Sequence, residues 1–405
     1  MEHVGQEVLS YPLSSSAALE PPVEWDRLRR ECPVADIRFP SGDAGTLITR
    51  YEDVKQLLSD PRFSRALDAP DAARISDTES GGVFNSAMST VLPQTGEAHL
   101  HWRRQISKWF TVKRMNELRP AIEAMADGLV DDMVANGSPA DLKASLGFPL
   151  PVWVICDMLG VPDSDRDRFA GWSDMLLNLD RYSQDEVAAA MGEFFGYIGQ
   201  HLAAKRAEPG DDILSALIGG TDAEGEPMPD QTLAATGIGL LVAGHETTAN
   251  MIGKMIAMLL ADRRHWERLL AEPALVRTAV EETLRMDANS GFGMVRYLPV
   301  ETEVGDSVLP MGTTVLCSMA AANRDETAFD RAAELDIARS PNPHVSFGVG
   351  PHSCLGQALA RTELQVVLEV LLRRLPTLEL AVEPDELVKL EGLIVGGLTE
   401  VPVRW

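Results

Sequence analysis

One segment indicates the fold of this 405-residue chain more strongly than any other: Phe347-Gly348-Val349-Gly350-Pro351-His352-Ser353-Cys354-Leu355-Gly356. Three glycines surround Cys354, and a helix-forming sequence follows from about Gln357 to Arg374. The cysteine therefore stands just before a predicted helix N-terminus, where the helix dipole and free backbone N–H groups favour a thiolate. Glycine lets the backbone pass close to a flat ligand. The pattern is typical of a thiolate ligand site.

The segment also admits blander interpretations. An isolated free cysteine is more often a small buried apolar residue than a ligand, and the segment alone leaves that open. Gly348-Val349-Gly350 begins like a dinucleotide-binding fingerprint, but the third glycine is out of register and no βαβ pattern precedes it. A phosphate-binding loop would place Lys after its last glycine, where Gln357 stands. Neither kind of nucleotide site is therefore expected.

Composition narrows the function class. The formal net charge of -25 argues against nucleic acid and against an anionic membrane surface as partners. The composition, 45% hydrophobic and 24% charged, is that of a globular protein with a core large enough for a cofactor. No signal peptide begins the sequence, and the uncharged stretch from Gln231 to Gly244 is too short to span a bilayer. We therefore expect no membrane association.

The number and spacing of the cysteines indicate the redox state of the cell compartment in which the protein works. They are far apart and form no C-x-x-C pair, which speaks against a zinc site or a disulfide scaffold and fits a reducing cytoplasm. The four are Cys32, Cys156, Cys317 and Cys354.

Hydrophobic periodicity predicts a mainly α fold with a smaller β portion, in a single domain over residues 1–405. The predicted helices are Glu24–Glu31, Met115–Val134, a long apolar helix over Pro229–Leu260, and Gln357–Arg374. The β-like segments are Ala35–Thr49, Met294–Leu298, Val308–Leu309, VLCSMAA at 315–321, and a terminal hairpin or strand pair in GLIVGGLTEVPVRW at 392–405.

The long helix carries a second informative segment, Ala243-Gly244-His245-Glu246-Thr247-Thr248. Its bland interpretation is a polar interruption in which Thr hydroxyls bond to backbone carbonyls. A zinc H-E-x-x-H motif fails because Ala249 occupies the position of the second His. An acid followed by an alcohol on a buried helix can move protons beside a buried oxygen species, and the small Ala-Gly pair leaves room for it.

These two segments carry a resemblance to a known family. FGVGPHSCLG resembles F-G-x-G-x-H-x-C-x-G, the haem-binding signature of the cytochrome P450 family, and the helix segment resembles that family's A-G-x-(D/E)-T-T motif. The resemblance implies a cytochrome P450 fold and haem b, with Cys354 as the axial thiolate that favours O–O cleavage. It implies that Thr247 donates a hydrogen bond to dioxygen and that Glu246 relays protons. The implied haem contacts in the two motifs are Ala243, Phe347, Gly348 and Gly356.

Two further sets of residues follow from the resemblance. Glu282 and Arg285 match the family's E-x-x-R motif, and Arg339 matches the third member of its buried Glu-Arg-Arg network, although an i,i+3 pair alone is commonly a surface feature. The implied partners of the haem propionates are His99, Arg103, Arg296 and His352, each of which alone is more often a solvated residue. The resemblance covers nearly the whole chain and is closest to bacterial members of secondary metabolism that lack a membrane anchor.

The implied function is that of a monooxygenase acting with O2 on a small hydrophobic organic substrate, by hydroxylation or epoxidation. Electrons from NAD(P)H would arrive through a ferredoxin and its reductase, and the enzyme would be a cytoplasmic monomer. A basic cluster is the expected ferredoxin surface: Arg103, Arg104, Lys108, Lys113 and Arg114. Two alternatives stay open: an oxidative coupling enzyme without oxygen insertion, and a haem-binding sensor without catalysis.

Candidate substrate contacts follow from position in the implied fold. The set is apolar, which suggests a largely hydrophobic substrate, although any member could be plain core. The resemblance to enzymes of bacterial secondary metabolism implies a polyketide, terpenoid or aromatic natural product. It consists of Phe84, Met88, Leu92, Val242, Phe292, Met294, Ile394 and Val395.

Overall fold

The computed structural model describes residues 8–75, 91–177, 182–289, 291–390 and 395–405. Helices dominate this part of the chain, as the sequence predicts. They are α1 (Glu24–Glu31), α2 (Tyr51–Ser59), α3 (Gly96–Ser107), α4 (Val112–Asn136), α5 (Pro149–Met158), α6 (Arg166–Leu177), α7 (Gln184–Ala207), α8 (Ile213–Ile218), α9 (Asp230–Ala261), α10 (Arg263–Ala271), α11 (Val276–Met286), α12 (Met319–Ala322) and α13 (Gln357–Arg374). A π-helical turn lies at Lys143–Gly147, and 3₁₀ turns lie at Asp163–Asp165, Pro273–Leu275, Gly350–His352 and Pro384–Glu386.

The β portion is smaller and divided among several sheets. Its strands are β1 (Leu9–Ser10), β2 (Val34–Arg38), β3 (Ala44–Ile48), β4 (Ala140–Asp141), β5 (Met294–Tyr297), β6 (Thr302–Val304), β7 (Ser307–Leu309), β8 (Thr314–Cys317), β9 (Glu379–Leu380), β10 (Lys389–Leu390), β11 (Gly397–Leu398) and β12 (Pro402–Arg404). The largest sheet is mixed and has the order β1-β2-β3-β8-β5. The others are β4-β12-β9 and the pairs β6-β7 and β10-β11.

Helix α9 runs through the middle of the helical part and organises the packing around it. It is 32 residues long and packs against α5, α6, α7, α11 and α13. A helix surrounded in this way must be apolar on most of its circumference, which its sequence is. Helix α13 packs against both α4 and α9, so the segment that leads into α13 is fixed relative to the central helix.

Two predictions about the β portion need correction. VLCSMAA at 315–321 reads as one β-like run, but β8 ends at Cys317 and α12 begins at Met319, because the Ser318 side chain caps the helix by accepting the Ala321 N–H. In the described part of the terminal segment, 395–405, the two strands do not pair with each other as a hairpin or strand pair would. Strand β11 pairs with β10, whereas β12 lies between β4 and β9 in another sheet. Among the described residues, no helix is long and apolar enough to cross a membrane.

Candidate active site

The cysteine loop has the geometry that its glycines predict. Gly348 and Gly350 have φ of 63° and 76°, the left-handed region that favours glycine. A Cβ on Gly350 would lie 2.6 Å from the Ser59 Cα and 2.7 Å from the Leu58 carbonyl oxygen, so this loop packs directly on the end of α2. The Cys354 N–H donates to the Phe347 carbonyl at 2.7 Å, which closes the loop just before α13.

The Cys354 thiol lies in an electropositive pocket of backbone and side chains. Its side chain is accessible, yet burial raises the pKa of the thiol above its ordinary value, which fits a group that faces the interior rather than the outer surface. The Gly356 N–H, Arg103 and Arg361 act in the opposite direction and stabilise the thiolate. The Arg361 guanidinium also lies 4.5 Å from the centre of the Phe347 ring.

Helix α9 presents two accessible side chains on an otherwise buried stretch. Ala243 and Thr247 are exposed and one turn apart, whereas 245, 246 and 248–260 are buried. The Thr247 hydroxyl donates to the Ala243 carbonyl at 2.8 Å, the back-bonded arrangement that the sequence also allowed. The two side chains form a small opening on the helix with one hydroxyl at its edge.

Glycine next to Ala243 serves a different purpose from the one that the sequence suggested. A Cβ on Gly244 would lie 3.1 Å from Ile155 Cγ1, so this residue permits close packing of α9 against α5. Of the Ala-Gly pair, only Ala243 belongs to the opening that it forms with Thr247. His245, to which the resemblance assigns no role, is a core residue: burial lowers its pKa to about 3, and its ring meets Phe148 edge-on at 4.3 Å.

Glu246 is a buried acid beside Thr247. Its side chain is 5% exposed, and its Oε1 accepts a hydrogen bond from the Asn250 side-chain amide at 2.9 Å. The carboxyl group is thus held along α9 by the residue one turn further on. The Glu246 carboxyl is therefore directed toward Asn250, whereas the Thr247 hydroxyl is directed toward Ala243.

Four predicted propionate partners come together in the structure. The rings of His99 and His352 are 4.4 Å apart, and Arg103 donates to the Ser353 backbone oxygen. Arg296 is 3% exposed, and its Nε has no hydrogen-bond partner among the described residues. Burial lowers the pKa of His99 to about 4 and that of His352 to about 3, with neighbouring arginines adding to the effect.

A fifth member of this cluster, Arg65, was missed from the sequence. Burial and the charges of Arg296 and Arg103 lower its pKa, and its own charge lowers the pKa values of His99 and His352. Its Nε donates to Gln94 Oε1 at 2.8 Å. Nothing in the motif around Arg65 distinguishes it from a surface arginine, since only the folded chain brings residues 65 and 296 together.

The residues of the predicted ion-pair network also meet. Arg285 donates to both Glu282 oxygens at 2.7 and 2.8 Å, and the two side chains are fully buried. The Arg339 Nε lies 3.1 Å from both oxygens of Glu282, whose Oε2 also accepts the Asn342 amide at 3.0 Å. Arg285 further donates to the Asn323, Ala332 and Glu334 carbonyls. The network ties α11 to the segment that precedes the cysteine loop.

The candidate substrate contacts divide into groups. Leu92 lies 3.9 Å from the position that a Cβ on Gly239 would take, on the face of α9 that continues to Ala243 and Thr247. Phe292 packs with Tyr11 and Phe39, which is the plain-core alternative. The rest are the core residue Val242, the accessible Met294 and the half-buried Val395, while Phe84, Met88 and Ile394 lie outside the described residues.

Comparison with known proteins agrees with this geometry. The family model for cytochrome P450 matches residues 167–395. The chain is 40% identical to nocardicin C N-oxygenase of Nocardia uniformis subsp. tsuyamanensis, over 98% of each protein. It is 37% identical to mycinamicin IV hydroxylase/epoxidase of Micromonospora griseorubida, over 98% of this chain and 99% of the relative.

The chain belongs to the cytochrome P450 family. A crystal structure of the LnmA cytochrome P450 hydroxylase, from the leinamycin pathway of Streptomyces atroolivaceus S-140, superimposes with a TM-score of 0.89 at 36% identity, covering 98% of this chain and 100% of that one. The predicted fold class is thereby confirmed. As a P450, the protein is an oxidoreductase that uses haem b and receives electrons from an external partner. The sensor alternative has no support.

The cationic cluster fits the haem of a P450. Arg65, Arg103 and Arg296 are brought together with two imidazoles, and none of the described carboxylates opposes the lowering of their pKa values. So many positive groups side by side are costly unless anions meet them. The two propionates of haem are such anions, and these side chains are the ones that would hold them.

We predict that Arg65→Ala weakens haem retention. Losing one charge-assisted hydrogen bond costs ~1.5–3 kcal/mol, so haem should transfer to an excess of apomyoglobin faster by about tenfold or more. Arg62→Ala is the matched control, because Arg62 is 61% exposed and pairs with Asp60 on the same segment. Equal transfer rates for both variants would show that Arg65 does not hold haem.

Proposed function

We propose that the protein is a haem-thiolate monooxygenase of secondary metabolism, one unit over residues 1–405, that inserts an oxygen atom from O2 into a largely hydrophobic small molecule. The observation that carries the proposal is the accessible Ala243–Thr247 face of α9, with the buried acid Glu246 beside it. A buried acid and an accessible hydroxyl on one helix are the groups that controlled proton delivery requires.

Each residue has a distinct task in this proposal. Haem supplies the redox chemistry that activates dioxygen, and Cys354 is its thiolate ligand. Thr247 gives up its bond to the Ala243 carbonyl and donates to dioxygen, and Glu246 replaces the proton that Thr247 passes on. The apolar surroundings of Leu92 and Val242 exclude water and orient the substrate. Arg65, Arg103, Arg296, His99 and His352 hold the propionates.

We predict that Thr247→Ala separates electron consumption from product formation. Without the hydroxyl, proton delivery becomes unselective, and product formation per NAD(P)H should fall by about 10²-fold, the lower end of what general acid catalysis contributes. Hydrogen peroxide should rise correspondingly. Thr247→Ser, which keeps the hydroxyl, should retain most of the coupling. If Thr247→Ala couples as well as the parent, the proton-relay role is wrong.

We propose that a ferredoxin, supplied by its reductase, delivers the electrons to the basic surface of α3 and α4. Arg104, Lys108 and Lys113 are exposed there. Arg103 does not belong to this surface, because its guanidinium bonds to Ser353 in the interior. Arg114 is half-buried and lies 3.1 Å from Asp211. Three exposed cations remain of the five in the sequence; Arg104 lies 3.7 Å from Glu97 and Lys113 lies 3.9 Å from Glu117. Because exposed pairs of this length contribute little, the three cations can still steer an acidic partner.

The reaction type is tested by products. The relatives are named for N-oxygenation, hydroxylation and epoxidation of nocardicin C and mycinamicin IV, which supports a natural product as substrate here. A spectral screen of natural products, read as displacement of water from ferric haem, identifies the binder. Turnover under ¹⁸O2 should then give labelled product, whereas an unlabelled, dehydrogenated product would instead establish oxidative coupling.

A further inference from the structure

A buried row of polar side chains leads along α9 away from Glu246. Asn250 and Lys254 follow at four-residue spacing, so the three residues share one face of the helix. Asn250 is 1% exposed and Lys254 is 3% exposed. An ammonium group buried on a central helix is costly unless its partners are fixed, so those partners need an explanation.

The Lys254 ammonium is held by the segment that follows α11. It lies 2.6 Å from Asp287 Oδ2 and 2.7 Å from the Asn289 backbone oxygen. Asp287 also accepts the Asn289 N–H at 3.0 Å through its other oxygen. A second cation, Arg324, is close enough for Asp287 to raise its pKa against the effect of burial. One carboxylate thus pins the turn at 287–289 to the central helix.

The turn at 287–289 also contacts a second segment, residues 396–397 near the carboxyl terminus. The Asn289 side-chain amide donates to the Gly397 carbonyl at 2.8 Å. A Cβ on Gly396 would lie 2.2 Å from the Asn289 backbone oxygen, and a Cβ on Gly397 would lie 2.2 Å from Asn250 Oδ1. Both positions therefore require glycine, because a side chain there would clash with Asn289 or Asn250. Residues 396–397 therefore lie between Asn289 and Asn250, the residue whose amide donates to Glu246.

These contacts lie close to the reactive face of α9. Asn250 is three residues beyond Thr247, or ~4.5 Å along the helix axis. Val395 directly precedes the two glycines, and β5 begins at Met294, five residues after Asn289. The two pinned segments are therefore continuous with Val395 and Met294, two of the residues that the resemblance places at the substrate.

We propose that Lys254 is a positioning residue for substrate selectivity. Through Asp287 and Asn289 it holds the backbone at 287–289 and at 396–397 against α9. The position of these two segments sets the shape of the wall on the substrate side of the site. The inference rests on the proposed function, because it takes that wall to face the haem. Lys254 does not touch the substrate. It acts by fixing the backbone that presents Val395 and Met294.

The test compares two ion pairs of equal length. Lys254→Met removes the ammonium that bonds to Asp287, and Lys205→Met removes the ammonium that bonds to Asp212 at 2.6 Å, a pair that joins α7 to the N-cap of α8 outside this wall. Asp287→Asn, which keeps its shape, is the second variant should Lys254→Met fold poorly. Each holoenzyme is titrated with imidazole and with 4-phenylimidazole, and the spectral shift of ferric haem reports binding.

A displaced wall changes the affinity for a large ligand more than for a small one. We expect Lys254→Met and Asp287→Asn to alter the ratio of the two dissociation constants by about tenfold, with imidazole affinity kept within about twofold. Lys205→Met should leave the ratio unchanged. An unchanged ratio in both Lys254→Met and Asp287→Asn, or an equal change in Lys205→Met, overturns the inference. The carbon monoxide spectrum of the parent distinguishes failure of this inference from failure of the proposed function. If the parent lacks the thiolate band, the proposed function is wrong as well.

Discussion

Cys354→His is expected to abolish the red-shifted Soret band that we expect of the carbon monoxide complex of the reduced parent. The band would arise from a thiolate ligand, because imidazole donates less electron density to iron. The same substitution should eliminate substrate oxidation, because O–O cleavage depends on that donation. Difference spectra of reduced protein, with and without carbon monoxide, measure the first effect, and product analysis measures the second.

Cys32→Ala is the control for this substitution. Cys32 is half-buried and lies at the end of α1, far along the chain from the loop before α13. It should keep the thiolate band and the activity. Cys354→Ser, which is closest to the parent in size, should lose the band as well. A normal thiolate band in either Cys354 variant would show that another residue ligates iron.

Much of the fold was predictable because its longest elements have strong local signals. Helix α13 occupies the predicted range, and α9 differs from the predicted 229–260 by one residue at each end. The strands near the terminus were not predictable in the same way. Strand β12 lies beside β4 through contacts between residues more than 250 positions apart, such as the Val401 N–H with Asp141 Oδ1, and no local pattern in the terminal segment indicates that partner.

The residues of the site also divide into those that a local sequence motif indicates and those that only the folded chain brings together. Cys354, Thr247 and Glu246 could be singled out as candidates because motifs fix their spacing. Arg65 and Lys254 could not, because each is a single charged residue whose neighbours only the folded chain brings together. Two arginines of α3 show that neighbours in sequence can have different surroundings in the fold. Arg103 and Arg104 are adjacent in sequence, yet one bonds to Ser353 and the other is 62% exposed.

The Glu282 network and the Lys254 pair indicate how the chain stabilises this site. In both, a buried carboxylate joins a helix to an irregular segment that has few hydrogen bonds of its own. Glu282 accepts from Arg285, Arg339, Asn342 and the Asp336 N–H, so it anchors the approach to the cysteine loop. Irregular backbone near a cofactor needs such anchors, because no ladder of backbone hydrogen bonds fixes it.

Glu282→Ala is therefore expected to have the largest effect on stability of any single substitution in the network. It leaves Arg285, which is fully buried, without its carboxylate, and breaking a buried pair in this way costs ~3–5 kcal/mol. A loss of that size approaches the whole stability of many proteins, so little folded holoprotein should accumulate. Glu282→Gln keeps the size and part of the hydrogen bonding and should fold with a lower urea midpoint, which keeps the measurement possible.

The control is Glu369→Ala, which removes the partner of Arg119 from the solvent side of α13. The Glu369 side chain is 45% exposed, and exposed pairs contribute ~0–1 kcal/mol. Urea unfolding, followed by the haem Soret band and by circular dichroism, should give parent-like midpoints for Glu369→Ala and a strongly lowered one for Glu282→Gln. Because Glu282 anchors the segment before the cysteine loop, the Soret signal of Glu282→Gln should be lost at lower urea than its helical signal. Coincident and parent-like transitions would show that the network does not hold the loop.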